Sequence, residues 1–208
     1  SGTGGLESAV ANLMSPGDRV VIPVAGYFGE RLAKISRAYG AEVREVPYEW
    51  GTIARAKDVE AALAEAPTKA VLVQQSETST GAIHDVQTIA GITRPRGVKL
   101  VVDAITSLGV HPLEQDAWGV DVVVCGSQKG LMLPPGLGFN AVSRKALAAA
   151  ASSTMPKSYW RWDARRTARI EAETKARIES DVQKSISGSM SNFRLCPLSD
   201  PNCKPGSQ

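Results

Sequence analysis

VKLVVDA, residues 98–104, and VDVVVCG, residues 120–126, are near-continuous runs of apolar, mostly β-branched residues. A strand with one solvated face alternates apolar and polar side chains. A strand without that alternation is buried on both faces, as in a parallel sheet covered by helices. Working outward, RVVIPV (19–24) and KAVLVQQ (69–75) read the same way, and EVREVPY (42–48) alternates as a more exposed strand. Helical stretches separate them: LESAVANLM (6–14), with Thr3 as candidate N-cap; Tyr27 to Tyr39, with Leu32 and Ile35 inward and Gly40 as its stop; DVEAALAEA (58–66); VQTIAGITR (86–94); and RKALAAAAS (144–152). SETSTG (76–81) reads as a polar loop and GLGFNAVS (136–143) as a further strand. This alternation predicts an α/β domain with a mostly parallel sheet flanked by helices. Such sheets bind ligands just beyond the carboxyl ends of their strands.

The 208 residues are 43% hydrophobic and 22% charged, enough for a substantial core. A net charge of +3, all of it contributed by residues 161–208, does not describe a nucleic-acid-binding surface. Cys125, Cys196 and Cys203 form neither a disulfide framework nor a metal-ligand spacing, and His84 and His111 are the only histidines. No apolar run approaches the ~18 residues of a membrane span, and no charged-then-apolar leader opens the chain. The expectation is a cytoplasmic chain without a metal site.

Three features fall where a parallel sheet places its ligand. SGTGG (1–5) opens a helix whose free N–H groups, with the Thr3 hydroxyl, suit a phosphate, or it is a plain glycine turn. Asp103 ends a strand as a helix N-cap or as a functional anion. Lys129, in GSQKG (126–130), is a solvated lysine or a nucleophile. Together, a phosphate cradle, an anion and an amine at strand ends are the parts that pyridoxal 5′-phosphate needs: an amine for the Schiff base and an aspartate for the protonated ring nitrogen.

At this point the chain resembles the class V, fold-type I aminotransferases, in the alanine–glyoxylate and serine–pyruvate aminotransferase branch. The resemblance rests on SGTGGLESAVANLMSPGD (1–18), AGYFGER (25–31), SETSTG (76–81), VVDAITSLG (101–109) and GSQKGLMLPPGLGF (126–139), which run in family order. It implies the fold-type I large domain over residues 1–163, a pyridoxal phosphate cofactor, a homodimer, and ping-pong transfer of an amino group from an amino acid such as alanine or serine to glyoxylate or pyruvate. By the same resemblance Lys129 is the Schiff-base lysine and proton shuttle, and Asp103 holds the pyridine nitrogen. Thr3, Gly4, Gly5 and Gln128 meet the phosphate. Thr78 lies near the ring hydroxyl, while Ile105 and Phe28 cover the two ring faces. Read without the family, Phe28 is a core aromatic, and Thr78 and Gln128 make loop hydrogen bonds.

The resemblance stops after MPKSYWRWD (155–163). Residues 164–208 read as a charged helix followed by disorder, with no counterpart of the small C-terminal domain or its carboxylate-binding arginine. The alternatives are therefore a catalytically dead truncated remnant, a cofactor-binding module, or another class V enzyme such as a 2-aminoethylphosphonate aminotransferase. Cysteine desulfuration fits less well. That branch stacks a histidine where this chain has Phe28, and Cys125 sits inside an apparent strand.

Overall fold

The computed structural model describes residues 2–162. The tail expected over residues 164–208 lies outside the described residues. The strands are Arg19–Val24 (β1), Glu42–Pro47 (β2), Ala70–Gln74 (β3), Ser76–Glu77 (β4), Ala82–Ile83 (β5), Lys99–Asp103 (β6), Val122–Gly126 (β7) and Gly138–Val142 (β8). The helices are Gly2–Leu13 (α1), Tyr27–Ala38 (α2), Ala56–Glu65 (α3), Val86–Thr93 (α4), Gln115–Trp118 (α5) and Arg144–Ala150 (α6). Six strands form one sheet in the order β2-β1-β3-β6-β7-β8. The first five run parallel, and β8 pairs antiparallel with β7.

The unbroken apolar runs divide by parity between two cores. Val20, Ile22, Leu72, Val101, Val122 and Val124 join the core containing residues of α1, α2 and α6. Val21, Val71, Val73, Leu100, Val102 and Val123 join the core of α3 and α4, against which Trp118 of α5 packs. Burying each such side chain contributes about 1.5–3 kcal/mol. Asp103 continues the odd-numbered series of Val101, so it faces the α1 and α2 side at the point where apolar burial would otherwise be favoured.

The strand order reverses between β1 and β3, the place where open α/β sheets form their crevice. β1 pairs with β2 along its whole length but with β3 only at Val20–Ala70 and Val21–Val71. Pro23 has no N–H to give, and the β1–β3 ladder has ended before it is reached. The two strands therefore part towards their carboxyl ends. Gly40, at φ +81°, closes α2 in the left-handed conformation expected of its helix stop.

Four details depart from the sequence expectations. α1 begins at Gly2, so Thr3 lies inside its first turn and is not the N-cap. SETSTG is partly a two-stranded ribbon, because Ser76 and Glu77 pair with Ile83 and Ala82. The short α5 carries too few residues to show a helical period. β8 runs against its neighbour, a direction that an apolar pattern does not encode.

His84 is buried, and its Nδ1 accepts from the N–H of Ala54 at 3.0 Å. Burial holds its pKa below the ordinary 6.5. The unfolded chain therefore binds this proton more tightly than the folded one, and the contribution of His84 to stability is lost as pH falls below about 6.5. His84→Gln, which keeps an acceptor, is expected to flatten the acid side of the stability profile relative to the parent chain, as read by denaturant unfolding at several pH values.

Candidate active site

A cavity of about 290 Å3 opens at the carboxyl ends of the parallel strands. Its lining comes from five separate places in the chain: Gly2, Thr3 and Leu6 of α1; Phe28 and Arg31 of α2; Ser76 and Thr78 after β3; Asp103 at the end of β6 with Ile105 and Thr106 beyond it; Gln128 and Lys129 after β7.

Asp103 is 6% exposed and its Oδ1 accepts from the N–H of Ile105 at 3.0 Å. No helix follows Asp103, since residues 105–110 form turns, so the helix N-cap reading does not hold and the carboxyl caps the backbone of a turn instead. Burial is the main force on its carboxyl and pushes the pKa up to about 6; the nearby Glu77 charge adds to the rise, while the Ile105 N–H and the Arg31 guanidinium oppose it.

Lys129 is exposed on the cavity wall. Its position follows from the packing of the turn before and after it. Ser127 is fully buried, and its hydroxyl donates to Pro134 O at 2.6 Å while its carbonyl accepts from the N–H of Leu133 at 3.0 Å. Gly130 presses against the Asp103 loop so closely that a Cβ there would stand 2.2 Å from Leu108 O. The lysine turn and the aspartate loop therefore meet backbone to backbone. Gly130→Ala must push them apart and is expected to cost about 1–3 kcal/mol in unfolding free energy, together with a weakened response of the cavity to any ligand that bridges Asp103 and Lys129. Wild-type stability in a denaturant titration would contradict this packing account.

Phe28 belongs to neither core cluster; it is half-buried and lines the cavity, so the core-aromatic reading does not hold. Thr78 makes the loop hydrogen bond expected of it, to the Thr106 hydroxyl at 2.9 Å, and also lines the cavity. Ile105 packs over the first turn of α1, where a Cβ on Gly2 would stand 2.6 Å from its Cδ1. Gly4 and Gly5 do not line this cavity. Their Cα atoms lie against Trp160 and Val124, at 2.8 Å from a built Cβ in each case, and they border a second cavity on the other side of α1. Close packing explains both glycines, and only their main-chain N–H groups are left for an anion at the helix start.

Arg31 is a cavity residue that the motif AGYFGER contains but does not single out. It donates to the Thr3 hydroxyl and places a cation in the cavity beside the start of α1. A signal for it exists: Arg31 stands three residues after Phe28 on α2, so the two share a helix face. Among the described residues no group of three or more His, Cys, Asp or Glu side chains could hold a metal ion.

Residues 1–160 match the family model described as aminotransferase class-V. The chain belongs to the aminotransferase class-V family. It is 45% identical over 163 residues to a Synechococcus protein named soluble hydrogenase, small subunit, covering 76% of this chain and 42% of that one. It is 36% identical over 173 residues to a serine–glyoxylate aminotransferase of Methylorubrum extorquens, covering 78% of this chain and 43% of the relative. Among solved structures, an alanine–glyoxylate aminotransferase of Nostoc sp. superimposes with a TM-score of 0.76 at 35% identity, over 82% of this chain and 45% of that one. The chain thus spans about two fifths of the length of these curated relatives, and its sheet is that of the fold-type I large domain in this class V family.

Proposed function

We propose that this class V chain carries pyridoxal 5′-phosphate on Lys129 and serves amino-group transfer from an amino acid such as alanine or serine to glyoxylate or pyruvate. The observation that carries the reading is the pairing of a buried carboxylate with a lysine across one cavity at the strand ends. The Asp103 carboxyl is pushed up to about 6 by burial, and among the described residues the Arg31 guanidinium offsets that burial only in part. A protonated ring nitrogen is a partner that would restore its charge. The glyoxylate named for the Methylorubrum and Nostoc relatives supports the choice of acceptor.

When bound, the cofactor supplies an electron-withdrawing ring that stabilises charge left at the amino acid's α-carbon. The chain's own residues supply the rest. The Lys129 amine would be the covalent anchor and, once freed by the incoming amino group, would be the base that takes the proton from the amino acid's α-carbon and delivers it to the cofactor carbon across the shared nitrogen. Asp103 would keep a proton on the ring nitrogen. The N–H groups of Gly2, Thr3, Gly4 and Gly5 and the Gln128 side chain would hold the phosphate, Thr78 the ring hydroxyl, and Phe28 and Ile105 the two ring faces.

A homodimer in the cytoplasm is part of the same proposal. The exposed apolar residues Leu131, Met132, Leu133, Leu137 and Phe139 support a partner surface. The described residues contain no helix long and apolar enough to cross a membrane. The test is a donor screen on the purified chain with pyridoxal phosphate and glyoxylate, reading the keto acid formed from alanine or serine. Keto acid formation is the expected result. A folded, cofactor-loaded chain that transfers no amino group from any donor would reduce the proposal to a cofactor-binding module.

A further inference from the structure

α2 starts without a local cap, because its N-cap residue is Gly26. Yet the first-turn N–H groups are all taken. Phe28 N donates to Glu77 Oε1 at 3.3 Å and Gly29 N to Glu77 Oε2 at 3.0 Å. Tyr27 N donates to the Ser79 hydroxyl at 3.0 Å, which in turn donates to Glu77 Oε1 at 2.5 Å. Glu30 N reaches Gly26 O at 3.2 Å. On the far side of Phe28, Gln74 Nε2 donates to its carbonyl at 3.2 Å.

Glu77 is 0% exposed. Burying a carboxylate is costly, and a serine or aspartate at position 26 would cap the helix from solvent without that cost. Gly26 shows why the local solution is absent: a Cβ there would stand 2.5 Å from both Cγ and Cδ of Glu77. Its backbone is extended, so the demand is for space and not for an unusual φ. What the clamp joins are two walls of the cavity, Phe28 and Arg31 of α2 and Ser76 and Thr78 beside Glu77.

We propose that Glu77, assisted by Ser79, is the positioning residue of this cavity, fixing the α2 wall against the β4 wall so that Phe28 would be held in place to cover an aromatic ring bound in the cavity that Asp103 lines. The ring is the one assigned under the proposed function, and to that extent the inference rests on it.

The test uses the full 208-residue chain. In the cofactor-free protein the Asp103 carboxyl is titrated by carbon NMR. It faces Glu77 of β4, Arg31 of α2, Lys129 of the turn after β7 and the Cys125 thiol of β7. Glu77→Gln removes one negative charge, so the midpoint should move down from about 6; Ser79→Ala keeps that charge and should leave it in place. Pyridoxal phosphate is then titrated while its induced visible circular dichroism is recorded. Glu77→Gln should bind about tenfold more weakly, with less dichroism per bound cofactor and an unchanged borohydride-stable bond at Lys129. Gly26→Ala, which displaces Glu77 while changing the chemistry of no cavity-lining side chain, should repeat the loss of dichroism. If Glu77→Gln does not fold, Ser79→Ala and Gly26→Ala carry the dichroism measurement. Wild-type affinity and dichroism in these variants overturn the proposal, as does a loss that follows only the melting temperature. If no chain, the parent included, binds the cofactor, the proposed function fails. The Asp103 midpoint alone then decides whether Glu77 acts on the cavity.

Discussion

Lys129→Ala is expected to abolish covalent capture of pyridoxal phosphate. After borohydride reduction, the cofactor adduct should be present on the peptide containing Lys129 in the parent chain and absent throughout the variant. The chain has 24 Lys and Arg residues, so charge alone does not select this one. Position does. Lys129 follows a strand that is wholly buried, and a turn fixed by the buried Ser127 holds it on the wall of the cavity that Asp103 lines. Loss of a positioned base costs roughly 10²–10⁴-fold in rate. Loss of the covalent anchor as well places the expected drop in amino transfer at the upper end of that range or beyond. An adduct on another lysine, such as Lys99 or Lys157, would refute the assignment, and equal labelling of parent and variant would show that the cavity does not select the cofactor. Folding is not at issue in this comparison, because Lys129 is exposed and belongs to neither core.

The fold was legible because burial on both faces leaves a direct mark. Runs such as VVIPV and VVVC carry no polar face, and a sheet without a polar face must be covered on both sides. The positions of Lys129 and Asp103 were legible because each stands at or just past the end of such a run. What the sequence could not show depends on contacts between distant residues. Glu77 reads as one polar residue in the loop SETSTG, and its link to Gly26 joins parts of the chain that come together only when β1 and β3 are neighbours. Gly4 and Gly5 read as a phosphate cradle, while their packing against Trp160 and Val124 depends on where α1 lies. The direction of β8 was hidden because an apolar pattern is the same read either way along a strand. Arg31 is the one residue that could have been found, by carrying the helical spacing one turn beyond Phe28.

Asp103→Asn is expected to stabilise the cofactor-free chain and to weaken the loaded one. The folded-state pKa of Asp103 is pushed up from 3.8 to about 6. The folded chain therefore holds this proton more tightly than the unfolded chain does. The group stabilises the fold fully below about pH 3.8, and that stabilisation is lost as pH rises through about 6. Above that range the ionised carboxylate costs about 3 kcal/mol, since each tenfold difference in proton affinity between the folded and unfolded chains is worth about 1.36 kcal/mol. Asparagine is neutral at every pH and can still accept from the Ile105 N–H. Unfolding of the two cofactor-free chains should therefore differ by up to about 3 kcal/mol near pH 8 and converge near pH 4. Saturating pyridoxal phosphate should reverse the order, because a ligand that binds the folded chain stabilises it in proportion to its affinity, and asparagine cannot hold a proton on the ring nitrogen. A residue that served only as a backbone cap would behave differently: its replacement would leave stability unchanged or lower at every pH, with or without cofactor. The inversion separates a cap of the turn from a functional anion. It also gives the burial of this carboxylate a physical reason, since its charge is unfavourable until a cation arrives to meet it.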